Sequence, residues 1–337
     1  MKFKTMFSYA LAICSLTLVI NSAAFSASVF QAKDDKPKLT AEEAKAAKAV
    51  ESAADVNAKL VAAEDFVKKY PKSSARPTVA EYMVSQILDI TDPDQKLAAA
   101  QKYSSFFNEP GEAAGIKPAQ LDAFTKLKRF DDAFSEGAKY LEKNPDDIQV
   151  LILLAVSGVE QAKQGNPKFV TDSQKYGTKA IALLEADKKP TTMDDAVWAA
   201  QKANLPQVYT EMAIVSFMQQ KPAEAQAKLE KATTLSPKDP FNYMLLGTIT
   251  NDEYQKMAQT YKGMPDGKAK DDLLQRINAS LDKVIDYYAR AVALSEGKEQ
   301  YQKFHDQLLQ DLTSYYKYRH SSSTDGMQKL IDSYKLP

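Results

Sequence analysis

Two histidines, His305 and His320, and one cysteine, Cys14, are all that this 337-residue chain offers of the side chains that most often shuttle protons, attack carbonyls or bind soft metals. The histidines lie 15 residues apart, which is not a metal-ligand spacing. His305 is followed by Asp306, but adjacent residues of a helix point in different directions, so the two cannot act as a base and its orienting partner. His320 follows Arg319 and reads as a favourable charge at a helix C-terminus. Acidic pairs recur at Asp34-Asp35, Asp131-Asp132, Asp146-Asp147, Asp194-Asp195 and Asp271-Asp272. Paired carboxylates could serve acid–base chemistry or calcium. Most of these pairs, however, precede an expected helix, where capping and the helix dipole account for them. None has the alternating acids and central glycine of a calcium loop. The chain carries no phosphate loop, no dinucleotide-binding glycine fingerprint and no Gly-x-Ser-x-Gly elbow. We therefore expect no catalytic residue, no metal and no cofactor.

Two aromatic features and one sequon remain. Tyr315, Tyr316 and Tyr318 could stack on a glycan, although their helical spacing points to packing at the end of the fold. Trp198, the only tryptophan, sits among Ala196, Val197, Ala199 and Ala200, as a core residue does. Asn278-Ala279-Ser280 matches a glycosylation acceptor, but it falls within an expected helix.

Lysine plus arginine equals aspartate plus glutamate, at 44 each, which excludes the basic footprint of a nucleic-acid binder. The N-terminus has the form of a secretory signal. Lys2 and Lys4 precede the uncharged, mostly apolar run 6–20, and small residues around Ala24 and Ser26 follow. That run is short for a membrane span, which needs about 20 apolar residues. A lipoprotein reading fails because Ile13 stands before Cys14 where a small residue is required. The expectation is a signal over 1–26 and an exported protein, periplasmic or extracellular in a bacterium. It would carry no cysteine and no integral membrane span after cleavage, with peripheral envelope association left open.

The rest of the chain reads as helix. A polar linker spans 27–39, and beyond it apolar residues recur at three- and four-residue spacing with no alternating β-branched runs. Prolines at 71, 93, 110, 118, 145, 167, 190, 206, 222, 237, 240 and 265 punctuate the sequence, mostly after lysine-rich ends or at first helical turns. This is the rhythm of helix–turn–helix pairs. The spacing predicts a long helical stretch near 193–219. It also predicts a long pair near 241–262 and 269–295, joined by residues 263–267. Residues 299–318, with Tyr301, Phe304, Leu308, Leu312, Tyr315 and Tyr316, and a short amphipathic segment with Met327, Leu330, Ile331 and Tyr334 form an expected C-terminal cap over 298–337.

One unit repeats clearly. Tyr209, Met212 and Ala213 precede a turn at Gln220–Pro222. A second helix follows with Ala225, Leu229 and Ala232, and then Pro237. Tyr243, Leu246 and Gly247 recur 34 residues after the first set. Small residues let helix axes approach, and large neighbours fill the space beside them. Here the sequence resembles the tetratricopeptide repeat. More degenerate matches lie at Ala133–Pro145 with Leu151, Leu154 and Ala155, at Gly177–Leu183, and at Ala289–Leu294. Phe66 to Ser73 is similar to the helix ends of tetratricopeptide-like envelope proteins. Ala180, Ala232 and Ala291 are spaced by 52 and 59 residues, so helices or loops are longer than the family's.

The resemblance implies an all-α, tetratricopeptide-like α-solenoid of antiparallel helix pairs over 40–297. It further implies a non-enzymatic interaction scaffold that binds a peptide or partner helix in a concave groove. Carried over residue by residue, the groove positions are Gln207, Thr210, Ile214, Phe217 and Met218 of one unit and Phe241, Met244, Thr248 and Asn251 of the next. The slots where some family members clamp a carboxylate hold uncharged residues here. An envelope assembly or secretion factor and an α-helical glycan-binding module or enzyme are the alternatives. A deep pocket of acids and tyrosines would favour the last of these.

Overall fold

The structure is a computed structural model that describes residues 39–190 and 193–335, and every regular element among them is helical. The expected signal, Cys14, Asp34-Asp35 and all but the last residue of the linker lie outside the described residues. The described chain divides into two compact units.

Among the described residues the first unit comprises 39–161, 171–190 and 193–202. The helices lying wholly or mostly in it are α1 (Ala41–Ser52), α2 (Val56–Lys69), α3 (Arg76–Leu88), α4 (Pro93–Phe106), α5 (Pro110–Gly115), α6 (Lys117–Lys126), α7 (Phe130–Lys143), α8 (Ile148–Lys163), α9 (Val170–Glu185) and α10 (Asp195–Lys202). Several of them begin at a side-chain cap. The Thr40 hydroxyl accepts the Glu43 amide in a capping box, and Asp55 and Asp92 cap α2 and α4. Asp147 accepts the amides of Gln149 and Val150 at the start of α8, while Asp131 and Asp132 sit in the first turn of α7. The acidic pairs at these two places are thus helix-start devices.

Leu60, Phe66, Met83, Tyr103 and Phe107 form the centre of the core over α1–α6. Arg76 is buried against it. Its Nε and Nη2 reach the two Glu112 oxygens at 2.6 and 2.9 Å, and Nη2 also donates to Phe106 O. A second buried pair joins Lys96 to Asp122 at 2.7 Å. Gly137 of α7 faces Leu154 of α8, where a Cβ would come within 2.6 Å of the leucine Cδ1. Trp198 is buried, and its Nε1 donates to Asp187 at 2.7 Å.

The second unit comprises 162–170 and 203–335 of the described chain. It holds α11 (Leu205–Met218), α12 (Pro222–Leu235), α13 (Pro240–Lys262), α14 (Lys268–Ser295), α15 (Gln302–Arg319) and α16 (Met327–Asp332). Residues 206–247 fold as consecutive antiparallel helices, as the repeat pattern predicts. Ala225, Leu229 and Ala232 are buried, and Gly247 lies under the ring of Tyr288. The long pair near 241–262 and 269–295 is present as α13 and α14. The expected single stretch near 193–219 is not: α10 and α11 are separate helices that break at Ala203 and Asn204. Pro206 explains the break. It has no N–H to donate to Lys202, and its ring would crowd that carbonyl.

α15 runs back along α14. Arg319 pairs with Asp282 through Nε and Nη2 at 2.7 and 3.1 Å, and His305 Nδ1 lies 3.0 Å from Ser295 Oγ. α16 is held by buried Ile331, by a Tyr334–Asp286 hydrogen bond and by Arg290, whose guanidinium lies 4.5 Å from the Tyr334 ring centre. His320 caps α15 and stacks on Tyr316. Both histidines are thus accounted for by helix packing. No helix among the described residues is long and apolar enough to cross a membrane.

Candidate functional site

The nine groove positions fall into two groups. Thr210, Ile214, Phe241, Met244 and Thr248 are buried, whereas Gln207, Phe217, Met218 and Asn251 keep part of their surface. The buried five are engaged within the unit. The Thr210 hydroxyl lies 2.6 Å from Asn242 Oδ1, and Thr248 donates to Met244 O. Ile214 and Phe217 close over a small apolar space of about 10 Å³ with Ala213, Leu229, Leu245 and Ile249. Asn251 lies near enough to Tyr315 of α15 to favour the ionised phenol. The reason lies in α13. Residues 240–250 are buried all round, and that stretch contains no charged residue. A helix that is uncharged on every side is a buried helix rather than one with an open face.

The tyrosines and one acid do gather, at the seam of α13, α14 and α15. The Tyr254 and Tyr315 rings meet edge-on at 6.3 Å, and Tyr288 and Tyr315 lie 6.1 Å apart. Burial pushes the Tyr254 phenol up to about 12 and raises Tyr315 as well. Burial also raises the Asp311 carboxyl, whose Oδ1 accepts from Gln307. These rings pack on one another, as a helix seam requires. Among the described residues no group of three or more His, Cys, Asp or Glu is placed to hold a metal ion.

The open concavity of this unit lies elsewhere. α13 has 23 residues and α14 has 28, whereas α12 between Pro222 and Leu235 has 14. At 1.5 Å per residue, α13 is about 35 Å long against about 21 Å for α12. Gln226 of α12 shares a lining with Thr250 of α13, so the start of α12, about one turn before Gln226, falls about one turn beyond Thr250. Alongside α14, α15 stops at Arg319, level with Asp282. The ends of α13 and α14 therefore project as a two-helix arm. In the stretch 255–279 only Ile277 is buried. At the root of the arm is a cleft of about 530 Å³ lined by Gln226, Thr250, Glu253, Lys256, Met257, Arg276, Ala279, Ser280 and Lys283.

The two walls of the cleft follow from helical periodicity. Arg276, Ala279, Ser280 and Lys283 stand at i, i+3, i+4 and i+7 on one face of α14. Thr250, Glu253 and Met257 stand at i, i+3 and i+7 on the facing side of α13. The walls meet where Ser280 Oγ approaches Thr250 O at 3.5 Å. Lys256 is paired with Asp252 at 2.7 Å, while Arg276 and Lys283 have no carboxylate at ion-pair distance among the described residues. Sequence reasoning missed this cleft. Its signal was the pair of cations seven residues apart with only Ala279 and Ser280 on the same face between them.

No family model matches the chain, and no curated protein matches it. Solved structures that it resembles include a tetratricopeptide repeat protein from Parabacteroides merdae, at 13% identity and a TM-score of 0.40, covering 88% of this chain and 98% of that one. A second is PilF of Pseudomonas aeruginosa, at 14% identity and a TM-score of 0.37, covering 87% and 99%. A third is a monomeric mutant of IFIT1 with Gppp-AAAA, at 16% identity and a TM-score of 0.39. That match covers 82% of this chain, which spans about half of the IFIT1 chain, 55%.

Proposed function

We propose that this chain is a non-enzymatic, exported interaction scaffold of the bacterial envelope whose helix pairs hold a segment of a partner protein. The observation that carries the reading is the cleft at the root of the arm. It is open, sits between two helices, and mixes apolar, hydroxyl and charged side chains on its walls. Such a surface suits a polypeptide, which offers backbone hydrogen bonds together with side chains of both kinds. An assembly or secretion factor would be a narrower form of the same role.

The groove positions keep a part in this reading where they have surface. Gln207, Phe217, Met218 and Asn251 are available for secondary contacts, while the buried five act by holding α11 and α13 in place.

The test is site-specific photocrosslinking in the native envelope. A photoreactive residue at Ala279, in the cleft, should capture the same protein reproducibly, whereas one at Gln328, on α16, should not. Capture of no protein at Ala279, together with tight binding of a small metabolite by the purified chain, would overturn the scaffold reading.

A further inference from the structure

We propose that the cleft at the root of the α13–α14 arm takes an acidic, extended segment of its partner, an inference that rests on the scaffold reading and specifies the ligand of the same site. The argument begins with charge. The lining carries Lys256, Arg276 and Lys283 against the single acid Glu253. Lys256 already has Asp252. Arg276 and Lys283 are exposed and unpaired among the described residues, so the α14 wall presents cations with unspent hydrogen-bond donors.

Their spacing defines the ligand further. Seven residues of helix place them about 10.5 Å apart along one face. Ala279 and Ser280 between them are small, so this wall is hollow in the middle and positive at both ends. In an extended segment, alternate side chains point the same way and repeat every ~6.8 Å. Carboxylates two or four residues apart therefore bracket the two cations, within reach of flexible Arg and Lys side chains. The intervening side chains of such a segment turn toward the other wall, where Met257 provides apolar surface. The floor is narrow because Ser280 and Thr250 nearly touch, which suits a single extended strand better than a helix of roughly 10 Å diameter. Gln226 of α12 closes the third side.

The probe is a fluorescein-labelled ten-residue peptide that alternates glutamate with alanine and leucine. Twin peptides carry glutamine or lysine in place of every glutamate. Fluorescence anisotropy with the exported form of the protein should show the glutamate peptide binding at least about fivefold more tightly than the glutamine twin, and more weakly as salt rises. The R276E/K283E variant changes two exposed side chains, and circular dichroism should show its helix content unchanged. It should lose glutamate-peptide binding and gain affinity for the lysine twin. Equal binding of the three peptides, binding of none, an unaffected double variant, or binding of phosphatidylglycerol vesicles with no peptide binding would each overturn the inference. Reproducible capture at Ala279 would leave the scaffold reading standing even then, so the two failures can be told apart.

Discussion

Gly247 lies so close under Tyr288 that a Cβ at position 247 would overlap Cδ1 and Cε1 of the ring. Tyr288 is fully buried, so the ring has nowhere to move. Gly247→Ala should therefore destabilise the protein by about 1–3 kcal/mol through overpacking, read as a lowered urea midpoint. Tyr288→Phe is the control. The Tyr288 hydroxyl has no hydrogen-bond partner in the core, and Thr248 nearby already donates to Met244. Losing that hydroxyl should change stability by less than about 1 kcal/mol. A large loss in the phenylalanine variant would show that the hydroxyl, rather than the close approach of the two helices, holds this seam.

In the first unit the corresponding weak point is electrostatic. Arg76 and Glu112 form a two-pronged ion pair with both side chains almost wholly covered. Glu112→Ala leaves the buried guanidinium with only the exposed Glu109 carboxylate, 3.5 Å away, and should cost up to about 3–5 kcal/mol, whereas the paired replacement R76M/E112L should recover most of that loss. Arg76→Lys should not substitute for the arginine, because an ammonium cannot supply both prongs and the bond to Phe106 O together. Chemical denaturation of the four proteins checks the order.

Trp198 provides an optical reading of one carboxylate. Hydrogen bonds from the Trp198 indole and Lys202 hold Asp187 below its ordinary value of 3.8. A depressed carboxyl contributes stability above the unfolded pKa and loses it as pH falls through the folded one. The emission of Trp198 should therefore stay constant from neutral pH down to the ordinary aspartate range and change only below it. In Asp187→Asn that acid step should be absent. A wild-type change centred near pH 6 would contradict the assignment.

Hydrogen exchange should divide α13 and α14 along their length. Amides of 243–250 and 284–295, most of them buried among neighbouring helices, should exchange slowly. Those of 257–262 and 270–276 should exchange far faster, because almost nothing in the arm is buried. Uniform protection along both helices would mean that the arm is covered in solution.

The fold was legible where single residues have single meanings. Pro222, Pro237 and Pro240 marked helix starts and stops, and the recurrence of Tyr209 and Ala213 at Tyr243 and Gly247 gave the pairing of 206–247. The same proline logic, applied more strictly at Pro206, would have separated α10 from α11. The groove positions were less legible because family spacing fixes which face of a helix a residue occupies, but not what lies against that face. Phe241, Met244 and Thr248 stand in a stretch with no charge on any side, and that composition marks burial. The arm cleft depends on how far α12 and α15 extend beside their longer neighbours, a comparison of lengths that no local pattern records.

The unequal lengths of these helices bear on how the protein can diverge. Adding one turn to each of α13 and α14 would move the tip outward by about 5.4 Å without touching a core residue. Gly263 and Gly267, which flank the turn, would carry over unchanged. Reach is thereby uncoupled from folding, and lineages could tune how far this lever extends while the body beneath it stays the same.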